Sequence, residues 1–97
     1  QIWFAPLVNP NGHKIVIDET DVWWRKNICD NNVSGGIDDN DGVDPNRNYG
    51  WEWGNVGASD NISDDTYHGP NAWSEPEVVA MKNMMDSHHF VTGITYH

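Results

Sequence analysis

The strand-forming residues of this chain sit at its two ends. Ile2-Trp3-Phe4-Ala5-Pro6-Leu7-Val8 is an apolar run that starts almost at the terminus, and Phe90 to Tyr96 alternates imperfectly before His97. The first run reads as a buried strand, with Pro6 counting against a central ladder position. The second reads as a strand that ends on His97. Strands at 2–8 and 90–96 need neighbours, and unpaired edges invite association. Between them one helix is clear. Ser74 can cap, Glu77 three residues later completes a capping box, and Pro76 is tolerated in the first turn. Val78, Met81 and Met85 then share a face at helical spacing, which predicts a helix over about 75–87 packed on a sheet. Asn9-Pro10-Asn11-Gly12 has turn chemistry. Asp30–Asp41 and Gly57–Gly69 lack periodicity and read as long loops.

Ninety-seven residues make at most one domain, spanning 1–97. A chain of this size buries about two-thirds of its unfolded surface. Hydrophobic content is only 37%, yet six tryptophans, three tyrosines and two phenylalanines argue for a folded segment rather than a disordered one. The formal charge of −10 excludes nucleic acid as a partner, since phosphate binding needs clustered Lys and Arg. No apolar run approaches the roughly 20 residues that span a bilayer. No signal peptide is visible. Cys29 is the single cysteine, so no disulfide can close within the chain.

The chemistry concentrates around Gly42-Val43-Asp44-Pro45-Asn46-Arg47-Asn48-Tyr49. Only two arginines, Arg25 and Arg47, stand against fifteen acidic side chains. A guanidinium is a planar fork that grips a carboxylate or phosphate, and flanking amides add donors, so Pro-Asn-Arg-Asn points to a small anionic group. Pairing of Arg47 with a nearby aspartate is the plainer alternative. Trp23-Trp24-Arg25-Lys26 reads equally as aromatic packing with snorkelling cations. Asp38-Asp39-Asn40-Asp41-Gly42 invites calcium, but an EF-hand loop with its glycine at Gly42 would put Ile37 first and Asn48 twelfth among the ligand positions. That reading fails, and a solvated loop is the better one. Tyr49 to Gly54 is either a carbohydrate-stacking platform or buried aromatic packing, and packing is the commoner case. His68 reads as a surface or packing residue. His88 and His89 point about 100° apart on a helix and do not share one ion. Glu75 and Glu77 read as helix-start residues, not catalytic ones.

Gly42-Val43-Asp44-x-Asn46-Arg47-Asn48, with Asn9-Pro10-x-Gly12 and Trp24-Arg25-Lys26 before it, resembles the zinc carboxypeptidases of the A, B and T type. Thr66-Tyr67-x-Gly69, Ser74-Glu75-Pro76-Glu77 and Ile94-Thr95-Tyr96-His97 continue the resemblance in order. It covers nearly the whole chain but only a central part of the family's longer catalytic domain. The resemblance implies a fragment of a mixed-sheet α/β domain with long loops. It implies that Asn46 and Arg47 bind the α-carboxylate of a peptide substrate and that Arg25 polarises the scissile carbonyl and stabilises the oxyanion. Asp44 would accept a hydrogen bond from a zinc-bound histidine, and His97 would be one of three protein ligands to a single zinc ion. Pro45 stands where many members carry Leu or Ala. For residues 13 to 24 two readings stay open: His13-Lys14-Ile15-Val16-Ile17 favours a strand by β-branched content, while the family often has an irregular or helical turn here.

The family's other two zinc ligands come from a His-x-x-Glu motif upstream, and none occurs in this chain. Its general-base glutamate, mobile tyrosine and side-chain-selecting pocket residue lie beyond His97. The expectation is therefore a secreted metallocarboxypeptidase whose substrate is a peptide or protein C-terminus. The 97 residues alone would be inactive and prone to self-association. Two rivals remain: a non-catalytic carbohydrate- or peptide-binding module, and an inactive family member that has lost its metal.

Overall fold

The computed structural model describes residues 1–96; His97 lies outside the described residues. Three regular elements occur among them: helix α1 (Pro10–Ile17), a 3-10 turn (Pro45–Arg47) and helix α2 (Pro76–Asp86).

α1 resolves the open reading of residues 13 to 17 in favour of helix. Asn9 caps it, its side-chain oxygen accepting from the Gly12 N–H at 3.0 Å, and Pro10 occupies the first turn with its φ already helical. The cap residue also anchors the helix sideways, because Asn9 Nδ2 donates to the Lys26 carbonyl at 3.0 Å. Gly12 lies directly beneath that carbonyl, where a Cβ would collide with it and with Asn9. Ile15 is buried and Ile17 exposed, so one face of the helix is covered. The cap and the packing of Ile15 override the β-branched preference of Ile15-Val16-Ile17.

The expected strands are not formed. Neither 2–8 nor 90–96 is a β-strand, and among the described residues the sole β-bridge is an isolated parallel one between Ser59 and Tyr67. Ile2, Phe4, Val91, Ile94 and Tyr96 are exposed instead of buried. The physical reason is that a strand exists only by pairing, and no described segment pairs its backbone with either run. The two ends do approach each other: the His88 ring lies 4.4 Å from Trp3 and 5.5 Å from Phe90. The mixed sheet is thus not seen within these residues.

α2 falls where the pattern placed it, with a different start. Glu75, not Ser74, is the cap residue, and its side chain makes no capping bond. Ser74 Oγ points elsewhere, accepting from Asn48 Nδ2 and donating to Glu75 Oε1. Of the predicted stripe, Val78 is fully buried, Met81 is half-buried and Met85 is exposed, so only the first turn packs.

The interior is unusually polar. Ile15, Val43, Tyr67 and Val78 are the buried apolar residues, against Lys26, Asn27, Asp41, Asp44, Asn48, His68 and Glu75. With so little apolar area, the arrangement of the central loops is decided by satisfying these polar groups. Asp41 accepts from the N–H groups of Asn31 and Asp38 inside the acidic loop. Lys26 Nζ donates to the carbonyls of Asp39 and Ile62, tying that loop to the 57–69 loop.

Candidate functional site

The 3-10 turn carries the predicted site, and its sequence explains its shape. Asp44 precedes a proline and is extended, as such residues must be (φ −72°, ψ 109°). Its Oδ1 then accepts from the Asn46 N–H at 2.9 Å and its carbonyl from the Arg47 N–H at 2.9 Å, closing the turn. Gly42 enters with φ +78°, pressed against the Asn27 carbonyl and the Lys26 side chain, a position no Cβ fits. Val43, fully buried, accepts at its carbonyl from the Asn27 N–H at 2.9 Å and donates its own N–H to Asn27 Oδ1 at 2.8 Å.

Two of the predicted residues follow directly. Asn46 is exposed and Arg47 half-buried, both facing a groove of about 330 Å³ that Tyr49, Trp51 and Trp53 also line. Arg47 Nε donates to the Gly57 carbonyl at 2.9 Å and Nη1 reaches the Asn46 carbonyl at 3.4 Å, which holds the plane of the fork. Nη2 has no acceptor among the described residues, so one edge of the guanidinium stays open to an anion. Among the described residues no aspartate lies within ion-pair distance of Arg47, which speaks against the plainer reading of it as a structural ion pair.

Asp44 is the pivot. Its Oδ2 is buried and has no hydrogen-bond partner among the described residues, although Arg25 Nη2 stands 3.7 Å away. Burial pushes its carboxyl above the usual range, while the Asn46 N–H, Arg25 and Arg47 pull the other way. A carboxylate oxygen buried without a donor is costly and calls for one. Arg25 itself is half exposed, with its charge directed at this corner. Arg25, Asp44, Asn46 and Arg47 are therefore brought together. Of the other expected features, the metal ligand His97 lies outside the described residues. Among those described, no three His, Cys, Asp or Glu side chains converge as a metal site.

A sequence profile described as zinc carboxypeptidase matches residues 1–97. The chain belongs to the zinc carboxypeptidase family. Among its relatives, carboxypeptidase A2 of Rattus norvegicus is 38% identical over 97 residues, covering 99% of this chain and 22% of that protein. Carboxypeptidase B of Astacus astacus is 38% identical over 84 residues, covering 87% of this chain and 25% of that protein. The crystal structure of carboxypeptidase A from Helicoverpa armigera superposes with a TM-score of 0.71 at 35% identity, covering 86% of this chain and 19% of that one. This zinc carboxypeptidase segment is thus similar in structure to part of a carboxypeptidase A and spans about a fifth to a quarter of the length of these relatives.

The zinc carboxypeptidase segment also contains polar residues with contacts that sequence patterning did not reveal; Asn48, expected as an amide donor beside Arg47, uses its Nδ2 on the His68 and Asn71 carbonyls and on Ser74 Oγ. Asn27, Asn48 and Glu75 are almost wholly buried and bonded to one another across the loops. His68, expected as surface or packing, is buried between Trp53 and Tyr67, with Nδ1 at 2.7 Å from the Gly69 carbonyl and Nε2 at 2.9 Å from Asp60. The available signal was position: Asn27 and Asn48 each sit within two residues of an arginine.

Proposed function

We propose that the protein carrying this segment is a zinc metallocarboxypeptidase that hydrolyses the C-terminal peptide bond of peptides and proteins. Asn46 and the open edge of Arg47 bind the substrate's free α-carboxylate, which restricts cleavage to the last residue. Arg25 supplies fixed positive charge where the carbonyl oxygen becomes an oxyanion, a large catalytic term when the donor is held in advance. Asp44 presents Oδ2 to the imidazole N–H of a metal-ligating histidine and so fixes that ring. His97 is the ligand this segment would contribute to a single zinc ion. Zinc, when bound, activates water and polarises the carbonyl. Extracellular placement is part of the same reading; the described residues include no helix long and apolar enough to cross a membrane.

The observation that carries this reading is the unsatisfied Asp44 Oδ2, buried beside Arg25 on the turn that presents Asn46 and Arg47. A buried acceptor awaiting a donor suits a histidine from outside the described residues. The test is equilibrium titration of the full-length protein with peptides differing only in a free or amidated C-terminus, with oligosaccharides as a further ligand. Preference for the free carboxylate, reduced at least tenfold in Arg47→Ala, is expected from loss of a charge-assisted pair of roughly 1.5–3 kcal/mol. Equal binding of both peptides, or tight binding of sugar instead, would overturn it.

A further inference from the structure

Glu75 stands at the start of α2, where its carbonyl accepts from the Val79 N–H at 2.9 Å, yet its side chain makes no capping bond. The residue is 3% exposed, and its two carboxyl oxygens lead in different directions. Oε2 accepts from Asn27 Nδ2 at 2.5 Å. Oε1 accepts from Ser74 Oγ at 2.7 Å, which in turn accepts from Asn48 Nδ2 at 2.8 Å. The Glu75 N–H also donates to Asn48 Oδ1 at 3.1 Å.

The two amides so fixed flank the two arginine segments. Asn27 is two residues past Arg25, and its Oδ1 accepts from the N–H groups of Val43 at 2.8 Å and Cys29 at 3.2 Å. Asn48 directly follows Arg47, and its carbonyl accepts from the Trp73 N–H at 2.8 Å. An amide side chain can present oxygen or nitrogen to a given neighbour. With Asn27 Oδ1 taken by backbone donors, Nδ2 must meet an acceptor, and a carboxyl oxygen serves without ambiguity. One buried side chain thereby sets the distance between the turn bearing Arg47 and the segment bearing Arg25.

We propose that Glu75 is a positioning residue for catalysis, holding the carboxylate clamp of Asn46 and Arg47 in register with the oxyanion arginine Arg25 through Asn27 and Asn48. This rests on the carboxypeptidase reading given above. Glu75→Gln keeps size and shape but puts an amide donor either against the Asn27 Nδ2 donor or against Ser74 Oγ, whose hydroxyl must then accept it as well as Asn48 Nδ2 and loses the carboxyl oxygen it donated to. Adding Asn27→Asp reverses the polarity of the first contact: the new carboxylate still accepts from Val43 and Cys29 while the new amide donates to it. Glu77 Oε2, 3.4 Å from Asn27 Nδ2, remains as a mild opposing charge.

The experiment uses the full-length zinc-loaded protein and two readouts: calorimetric binding of free against amidated C-terminal peptides, and steady-state hydrolysis. For Glu75→Gln the proposal expects loss of the free-carboxylate preference, and KM and kcat both worsening, roughly tenfold or more in kcat/KM. Displacement of about an ångström at a site typically costs this or more. The Asn27→Asp/Glu75→Gln double variant recovers most of both. A Glu75→Gln protein that keeps the preference and stays within about twofold in kcat/KM overturns the proposal. If the single variant does not fold, the double variant decides: recovery of fold and preference supports it, while failure to fold, or folding without the preference, overturns it. A wild-type protein that ignores the free carboxylate sinks the carboxypeptidase reading and the positioning role with it; a selective wild-type with an equally selective variant sinks the positioning role alone.

Discussion

Lys26 shows how a single side chain can order this structure at an energetic cost. It is almost fully buried, its ammonium lies 5.5 Å from the Trp24 ring centre, and it donates to carbonyls from two separate loops. Burial lowers its pKa from the ordinary 10.5, with Asp65, Asp41, Asp39 and Asp64 acting to raise it. The folded chain thus releases this proton at lower pH than the unfolded chain. Between the depressed value and 10.5 the unfolded state binds more protons, so this group's contribution to stability rises with pH across that window and is least favourable below it. Lys26→Met keeps the stem and removes the charge. Denaturant midpoints of the full-length protein are expected to move toward wild-type advantage as pH climbs from 7 to about 10.5; a difference that stays constant or shrinks would contradict the assignment. Arg25, Asp44, Asn46 and Arg47 were legible in the sequence as candidates, because arginines are scarce there and the spacing around them is distinctive. Asn27, Asn48 and Glu75 were not, since an amide's task is set by what it faces, and their partners lie 48 and 27 residues away.

At the scale of elements, the two helices were unequally readable. α2 announced itself by periodicity, but its cap was misassigned because Ser74 is drawn into the Asn48–Glu75 network rather than toward the helix end. α1 has no apolar stripe of helical length and depends on Asn9, whose side chain satisfies Gly12 and, across the chain, Lys26. Both bonds vanish in Asn9→Ala. The cap alone is worth about 1 kcal/mol and the second bond a similar amount, so a loss of roughly 1–2 kcal/mol is expected from urea denaturation of the full-length protein. Asn9→Ser keeps a capping oxygen and loses the donor to Lys26, and is expected to lose about half as much. Equal losses in the two variants would show that the contact to Lys26, not the cap, governs the helix.

For the whole molecule the decisive quantities are apolar exposure and charge, which act in opposite directions. The radius of gyration is 13.9 Å, above the roughly 13 Å of a compact 100-residue domain. Ile2, Phe4, Val91, Ile94 and Tyr96 lie exposed on the two end segments that meet around His88, a concentration that soluble surfaces rarely carry uncovered. Were these 97 residues prepared alone, their unpaired backbone and apolar side chains would favour association, while the net charge of −10 would resist it. Charge repulsion between exposed groups is screened with a Debye length of about 10 Å at 0.1 M salt and about 3 Å at 1 M, whereas apolar attraction is not weakened by salt. Association should therefore strengthen as salt is raised. Sedimentation velocity at low and high sodium chloride is expected to show larger species at high salt, and the same preparation should release no C-terminal residues above background with zinc added. A clean monomer at every salt concentration would mean that the ends cover each other well enough to need no partner. Dissociation on adding salt would instead place ionic contacts, not the apolar ends, at the interface.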